Sequence, residues 1–407
     1  MIVLLSIATA LAGDFYIYNV NLIPIVGSTI EKGSLLVKDG RISDVGKDIE
    51  PPKDIPHIDG NNQWLMPGII DVHSHMGVYP WPGARAHSDG NESIHPYTPH
   101  VRAQDSIRVE DPAFALARSG GVTTLMVLPG SANLIGGEAA IIKNRPAQTL
   151  KDLRFEGAPR GIKMACGENP KRVYRDDTDG PSTRMGNLAM MRGIFQEALD
   201  YRAARQRKDP PPMDHKMEMI LDVLDGEIRV HVHCYRHDDI EGIYRVMDEY
   251  GIKVASFQHA LEAYKVRKMI IEHDTAIATW SDWWGFKMEA YEATPYNAAM
   301  VKRDGGVVAL HSDDSTLVQS MHLEATKMLR YGATEQEVLE MITLDPAKLL
   351  GVENRVGSLE IGKDADLALF SEHPLSGYTL VNKTWIDGQL VYDRYPDTLN
   401  MSEGEIK

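Results

Sequence analysis

Two patterns of hydrophobic and polar positions divide the chain. Near the N-terminus, apolar and polar residues alternate in short runs, FYIYNVNLI from position 15 and GSLLVKDGRISDVG from position 33. Alternation with period two is typical of strands, and the Lys-Asp-Gly-Arg sequence at 38–41 predicts a tight hairpin turn. The runs KDADLALF and TWIDGQLVYD repeat this pattern near the C-terminus. We therefore expect the two chain ends to pair into one small β-sandwich.

Between the ends, apolar strand-like runs are separated by helical stretches such as PAFALARSG and DDIEGIYRVMDEYG. We predict strands at 68–72, 122–128, 134–143, 161–166, 228–233, 253–258, 276–280 and 307–311. Eight strands alternating with helices favour an α/β fold, a (β/α)8 TIM barrel of parallel strands. A doubly wound open sheet is the alternative, but no GxGxxG sequence follows any of these strands.

The domain boundaries follow from these patterns. We expect a signal-like extension at 1–13, sandwich strands at 14–66, the barrel at 67–350 and the rest of the sandwich at 351–407. The extension MIVLLSIATALAG ends like a secretory signal but lacks a basic start, and it is too short to span a bilayer. It is either an atypical signal or a plain extension. Localisation therefore stays open between cytoplasmic and secreted or periplasmic.

Charge narrows the set of partners. The 407 residues include 43 Lys and Arg against 58 Asp and Glu, a formal net charge of −15. Nucleic acids and anionic membranes reward a basic surplus, so we expect no nucleic acid and no membrane insertion. The charge does not itself identify a substrate, and the partner we expect is a small-molecule substrate. A homo-oligomer is compatible with the sequence. The two cysteines, Cys166 and Cys234, are expected to be buried thiols, although both fall at strand ends, where a bridge is geometrically conceivable.

Histidines and acids recur where the predicted strands end. The first strand runs into His73-Ser74-His75, and alternate strand residues about 6.6 Å apart can hold one metal ion. Later strands end in HVHC, QH and HSDD, at 231–234, 258–259 and 311–314. Because barrel active sites form at the carboxyl ends of the strands, this distribution favours a metal site over scattered structural histidines.

The chain resembles the amidohydrolase superfamily, in the group similar to imidazolonepropionase and prolidase. The resemblance rests on LMPGIIDVHSH, GVTTLMVLPG, IKMACGENPK, HVHCYRHDDI, QHALEAY, LHSDDS, TLDPAKLLG and VGSLEIGKDADLALF, which together cover most of the chain. It implies one or two Zn²⁺ ions. It implies as their ligands His73, His75, His233, His259 and Asp313. A bridging ligand would be either a carboxylated Lys163 or Glu168. His231, two residues before His233, is expected to be structural.

The resemblance implies a metal-dependent hydrolase that cleaves a C–N bond of an amide or cyclic amide, peptide-like amides included. The metal would supply hydroxide at neutral pH, and Asp313 would act as the catalytic proton shuttle. Asp314 is expected to be a loop residue or to orient its neighbours. A metal-dependent deaminase is the alternative within the enzymes, and a non-catalytic barrel scaffold is the remote one.

Substrate contacts are expected from residues near the predicted mouth of the barrel. These are Tyr235, Arg236, Trp284 and Lys287, which suit an apolar or aromatic group together with an acidic group. An outward salt bridge of Arg236 and packing of the tryptophans against the rim remain open. The long loop carrying His87, His95 and His100 is expected to cover the site.

Overall fold

The computed structural model describes residues 13–176 and 180–395. The signal-like extension lies outside the described residues except for its last position. The strands, in chain order, are β1 Phe15–Leu22, β2 Ile30–Lys38, β3 Arg41–Gly46, β4 His57–Asp59, β5 Trp64–Pro67, β6 Ile69–Ser74, β7 Val122–Val127, β8 Ile135–Glu138, β9 Ala140–Lys143, β10 Gly161–Ala165, β11 Arg229–Cys234, β12 Val254–His259, β13 Ala276–Thr279, β14 Val308–Leu310, β15 Leu367–Phe370, β16 Val381–Ile386 and β17 Gln389–Asp393.

The helices lie between and around the central strands. They are α1 Pro112–Ser119, α2 Leu150–Leu153, α3 Glu168–Tyr174, α4 Arg184–Arg205, α5 His215–Leu224, α6 His237–Tyr250, α7 Ala263–Glu272, α8 Asn297–Arg303, α9 Met321–Arg330, α10 Glu335–Glu340 and α11 Leu344–Leu350. Among the residues that the structure describes, no helix combines the length and the apolar character needed to cross a membrane.

Helix α6 shows how local sequence sets these elements. Acidic residues occupy its first turn, where they complement the helix dipole, and Ile240, Ile243, Tyr244 and Met247 form a buried face with helical spacing. The helix ends at Gly251, whose φ of 68° is left-handed, a conformation that glycine adopts without a Cβ clash. This stop lets the chain turn directly into β12.

Strands from both chain ends form one hydrogen-bonded sheet. Its order is β17-β16-β15-β5-β1-β2-β3, with β4 paired to β1. The predicted hairpin is confirmed, because Lys38 pairs with Arg41 across a turn in which Asp39 and Gly40 both have positive φ. A second turn of this kind, Asp387-Gly388, joins β16 to β17. The division of this sheet into the two layers of a sandwich stays a prediction.

The central strands form two further sheets. One has the order β14-β13-β12-β11-β10-β8, and the other has the order β6-β7-β9. Neighbouring strands are parallel from β10 to β14, and β6 is parallel to β7. Seven of the eight predicted strand positions agree with observed strands to within two residues at each end. The fold is therefore a mixed α/β fold.

The third predicted strand departs from the parallel pattern. Residues 134–143 form β8 and β9, separated by Ala139 alone, and these pair antiparallel with β10 and β7 respectively. Gly137 explains part of this path, since its φ is +119° and a Cβ there would lie 2.5 Å from the Val101 carbonyl oxygen. The expectation of eight parallel strands was wrong at this position. No helix separates β7 from β8, so the alternation also fails here.

Candidate metal centre

The predicted ligand histidines lie at the carboxyl ends of neighbouring strands. His73 lies near the end of β6, His233 near the end of β11, and His259 is the last residue of β12. The ring centroid of His259 is 4.5 Å from that of His73 and 4.6 Å from that of His233. The ring of His75 lies 5.1 Å from that of His73. The structure thus brings the four histidines together at one edge of the central strands.

Several ring nitrogens of this cluster are buried without a hydrogen-bond partner among the described residues. They are His73 Nε2, His233 Nδ1, His259 Nδ1 and both ring nitrogens of His311. A buried polar atom left unpaired costs about 1–3 kcal/mol, so such a concentration calls for a ligand. Two groups have their ligand atoms within 4.8 Å of one another, namely His73, His259 and His311, and His73, His75 and Asp313. This donor set fits a divalent metal ion.

Hydrogen bonds fix how the first two histidines present their rings. His73 Nδ1 donates to Gln258 Oε1 at 2.8 Å, and His75 Nδ1 donates to the Leu128 carbonyl oxygen at 2.8 Å. Both Nε2 atoms then face Asp313 Oδ1, at 3.6 Å and 3.4 Å. Burial and the charge of Lys163 lower the pKa of His73 well below its usual value and that of His75 to about 3. Both rings are neutral at pH 7, as metal ligation requires.

Lys163 and Glu168, the two candidates for a bridging ligand, lie in different surroundings. Lys163 is buried in β10, and its Nζ donates to the Pro129 carbonyl oxygen at 3.2 Å. Burial lowers its pKa to about 8, against the opposing effect of Asp313. Glu168 is the first residue of α3, and its carboxylate pairs with Lys287 Nζ at 3.1 Å. The structure places Lys163 within electrostatic range of the histidines and Glu168 beside Lys287.

Asp313 follows β14 in a left-handed conformation, with φ at +49°. Its backbone N–H donates to the His73 carbonyl oxygen at 3.1 Å, which fixes it against the end of β6. Burial raises the pKa of its carboxyl to about 7, although Lys163 acts in the opposite direction. The neighbouring Asp314 instead accepts hydrogen bonds from the backbone N–H groups of Thr316 and Leu317, both at 2.7 Å. Asp314 is therefore a loop-stabilising residue, as expected.

The predicted substrate residues separate into two groups. Tyr235 stacks on His259 with centroids 5.1 Å apart, and Lys287 Nζ lies 4.0 Å from the centre of the Tyr235 ring. Trp284 is 60% exposed and donates from Nε1 to the Tyr291 carbonyl oxygen. Arg236 instead pairs with Asp238 through two hydrogen bonds of 2.9 Å and 2.5 Å. The structure brings Tyr235 and Lys287 to the cluster and holds Arg236 in a local salt bridge.

The long loop after β6 reaches the cluster through a tyrosine. Tyr79 lies edge-on to His75 with ring centroids 5.7 Å apart. His87 and His100 are exposed, and His95 packs against Tyr97 at 4.1 Å. Within the described parts of this loop, the residue that meets the cluster is thus an aromatic ring, and the three histidines have other surroundings.

The expectation of two buried thiols was wrong. Cys166 and Cys234 form a disulfide, with Cα atoms 5.4 Å apart. The two residues lie at the ends of the adjacent strands β10 and β11, and Cys166 N–H donates to the His233 carbonyl oxygen at 2.8 Å. Parallel strands in this register bring the two Cβ atoms within bridging distance. The disulfide therefore joins two strands directly beside the histidine cluster.

The model of the amidohydrolase family matches residues 64–391, which include all of these side chains. The chain belongs to the amidohydrolase family. This confirms the resemblance inferred from the motifs. A solved amidohydrolase from Thermotoga maritima MSB8 superposes on this amidohydrolase with a TM-score of 0.88 at 36% identity, covering 93% of this chain and 100% of that one.

Named relatives of this amidohydrolase differ in reaction. Amidohydrolase tasK of Hapsidospora irregularis is 33% identical over 89% of this chain, which spans only 40% of the tasK length. An imidazolonepropionase of Colwellia psychrerythraea is 25% identical, over 84% of this chain and 86% of its own. A 5-methylthioadenosine/S-adenosylhomocysteine deaminase of Symbiobacterium thermophilum is 24% identical, over 89% of both chains. The relatives therefore share the fold and family of this amidohydrolase and carry names that refer to different reactions.

Two residues near the histidine cluster, Trp280 and Glu289, were missed in the sequence, and His311 was noted at its strand end but not assigned as a ligand. His311, whose ring is 5.0 Å from that of His73, stands two residues before Asp313 at a strand end, which is the signal that could have found it. Trp280 stacks between His259 and Trp283, with centroids 4.5 Å and 4.8 Å away. Glu289 is buried and accepts from the Glu168 backbone N–H at 2.7 Å. Neither Trp280 nor Glu289 belongs to a metal-ligand motif, so nothing in the sequence around them indicated that they lie near the site.

Proposed function

We propose that this amidohydrolase is a metal-dependent hydrolase that cleaves the C–N bond of an amide or cyclic amide. The observation that carries the proposal is the cluster of unpartnered, buried histidine nitrogens around Asp313. Buried polar atoms left unpaired cost about 1–3 kcal/mol each, and a cation bound among these nitrogens and the Asp313 carboxylate would pair with them. The metal would be held by His73, His75, His233, His259 and Asp313, with His311 in the same cluster.

Zn²⁺ is the ion we propose, in one or two copies, because imidazole nitrogen and carboxylate oxygen are its ordinary ligands. When bound, such an ion lowers the pKa of a coordinated water to about 7 and polarises a carbonyl group. Lys163 is the better candidate for a bridging ligand, since it is buried within reach of the histidines, whereas Glu168 is neutralised by Lys287. Carboxylation of Lys163 would replace its ammonium group, which repels a metal ion, with an anionic group that can bind one.

Asp313 is the proposed proton carrier. Its Oδ1 lies 3.4 Å from His75 Nε2, so the carboxylate lies directly beside the histidine cluster. From there it can accept a proton from the attacking water and pass it to the leaving nitrogen. The hydrogen bond from its backbone to His73 keeps this carboxylate in place.

Substrate binding is assigned to the aromatic and cationic side of the cluster. The rings of Tyr235 and Trp280 stack on His259, and Trp283, which is 38% exposed, stacks on Trp280. Lys287 stands over Tyr235 and faces the Glu168 and Glu289 carboxylates, which a substrate carboxylate would partly replace. We therefore expect a substrate with an apolar or aromatic part and an acidic group.

The framework for this chemistry is proposed to be one (β/α)8 barrel with the domain boundaries predicted from the sequence. The support is that the two central sheets meet at β6 and β14. Ser312, two residues after β14, donates from its N–H and from its hydroxyl to the carboxylate of Asp71 in β6, at 3.2 Å and 2.5 Å.

A screen of N-acyl amino acids, dipeptides and cyclic amides on zinc-loaded protein tests the function, with ammonia release followed in parallel. We expect a new carboxylic acid without ammonia.

A metal-dependent deaminase is the second candidate, favoured by the relative that is named a deaminase. Ammonia release without amide cleavage would establish the deaminase instead, and absence of any turnover in zinc-loaded protein would favour the non-catalytic scaffold.

A further inference from the structure

A chain of buried polar side chains leads away from His73 through two neighbouring strands. His73 Nδ1 donates to Gln258 Oε1, Gln258 Nε2 donates to Ser256 Oγ, and Ser256 Oγ meets His231 Nδ1. Each of the three donor–acceptor distances is 2.8 Å. None of the four side chains is more than 1% exposed. The chain thus consists of well-formed hydrogen bonds in surroundings without solvent to replace them.

The direction of each bond follows from the chemistry of its neighbour. Because the Gln258 amide nitrogen donates to Ser256, the amide oxygen is the atom that faces His73. Ser256 Oγ accepts that bond and lies 2.8 Å from His231 Nδ1, where the tautomer of the ring decides which atom donates. In either tautomer His231 ends the chain and holds the hydroxyl oxygen in place, and that oxygen accepts from the Gln258 amide nitrogen.

The consequence appears at the other ring nitrogen of His73. An amide oxygen facing Nδ1 requires the proton on Nδ1, which leaves the Nε2 lone pair free on the side of Asp313. If the Gln258 amide were turned over, its NH₂ group would face Nδ1 and favour the tautomer protonated on Nε2. That tautomer cannot bind a metal through Nε2.

We infer that Gln258, Ser256 and His231 are positioning residues that hold His73 in the tautomer able to bind metal. The inference rests on the metal site of the proposed function. It also assigns a use to His231, which lies two residues before His233 in β11 and pairs with Ser256 of β12 in register. Packing alone would not need a histidine there, because an apolar side chain would fill the space without a hydrogen-bonding requirement.

The test measures Zn²⁺ affinity of the full chain by competition with a chromogenic chelator. Gln258→Leu removes both hydrogen bonds and should weaken Zn²⁺ binding about 10- to 100-fold, the usual effect of losing such a partner. Gln258→Glu keeps an acceptor for His73 Nδ1 and should restore most of the affinity. Ser256→Ala should weaken binding less. Ser358→Ala is the matched control, a buried serine that bonds Lys363 and Glu360 instead.

A double variant separates a connected chain from a general loss of packing. Once Gln258→Leu is present, adding Ser256→Ala should change Zn²⁺ affinity no further, because the connection to His73 is already broken. Losses that multiply in the double variant, or a Gln258→Leu protein that binds Zn²⁺ within threefold of wild type, would overturn the inference. A wild-type chain that binds no Zn²⁺ would instead contradict the proposed function. Thermal unfolding of the metal-free proteins shows whether each variant is folded.

Discussion

His73 contacts different groups through its backbone carbonyl oxygen and through its two ring nitrogens. Its carbonyl oxygen accepts from the Asp313 backbone N–H, and its Nδ1 donates to Gln258. Its Nε2 has no hydrogen-bond partner among the described residues and faces the Asp313 carboxylate. The backbone bond fixes where Asp313 stands, and the side-chain bond fixes which nitrogen faces it. The cluster is thus largely preorganised by protein contacts.

Asp313→Asn tests the proton carrier. Asparagine adopts the left-handed conformation that φ of +49° requires, so the variant should fold, and its amide cannot carry the proton. We expect kcat on a substrate found in the screen to fall about 10²- to 10⁴-fold. Asp314→Asn is the control, since that carboxylate bonds only its own loop among the contacts found, and it should keep kcat within a few-fold. Full activity of Asp313→Asn would remove the shuttle role.

Lys163→Met and Glu168→Gln distinguish the two candidates for the bridging ligand. Lys163 is buried within electrostatic range of the histidines, whereas Glu168 pairs with Lys287 at 3.1 Å. We expect Lys163→Met to lose bound metal in elemental analysis and Glu168→Gln to retain the wild-type amount. The opposite pattern would assign the bridge to Glu168.

The sequence could predict that five residues are neighbours, because the carboxyl ends of parallel strands lie at the same edge of a sheet regardless of the loops that connect them. These residues are His73, His75, His233, His259 and Asp313. It could not predict Gln258 as the partner of His73, since the two are 185 positions apart and an amide at a strand end is common in any protein. Nor could it decide between Lys163 and Glu168. That choice depends on Lys287, which comes from a loop after β13 whose path only tertiary packing fixes.

At the scale of elements, the strands that carry the cluster lie where the apolar runs of the sequence predict them. The apolar runs of these strands are long enough to be recognised in the sequence. The apolar residues of the helices between them recur with nearly the helical period, so the sequence also locates the helices. Strands β8 and β9 were not predictable in direction, because a buried apolar run has no pattern that separates parallel from antiparallel pairing. Strand β8 also contacts the long loop after β6, through the bond from Glu138 N–H to the Val101 carbonyl oxygen.

Strand β9 also joins the central strands to the terminal sheet through a buried lysine. Lys143 Nζ lies 3.0 Å from Asp364, 2.8 Å from Asp366 and 3.1 Å from Asp387. Burial alone would lower its pKa, but the three carboxylates raise it above the usual value. Burial raises the pKa of Asp366 to about 6, although Lys143 acts against this. The lysine therefore keeps acidic groups of the terminal sheet ionised in the interior.

Lys143→Met should destabilise the fold by about 3–5 kcal/mol at pH 8, because it leaves buried carboxylates without their cation. The difference from wild type should shrink at pH 5. Asp366, whose pKa is already raised, is then protonated, and a neutral carboxyl no longer needs the cation. Urea unfolding at both pH values measures this. Lys253→Met, which breaks an exposed pair with Asp274, is the control and should change stability little. Equal destabilisation at both pH values would contradict this account.

At the scale of the whole molecule, the two chain ends share one sheet while the segment between them builds the metal site. The sequence predicted this arrangement because both ends carry the same two-residue period and the same Asp-Gly turns. The net charge of −15 argued against nucleic acids and anionic membranes as partners but did not identify a substrate. The fold of the whole molecule brings side chains from β6, β11, β12 and the segment after β14 to one edge of the central strands.

Metal content tests the central claim most directly. Elemental analysis of dialysed, zinc-supplemented wild-type protein and of His73→Ala should be made side by side, with circular dichroism to verify folding. We expect one or two divalent ions per chain in the wild type and a marked loss in a folded His73→Ala protein. A wild-type chain that retains no metal, or a His73→Ala chain that retains as much as the wild type, would contradict it.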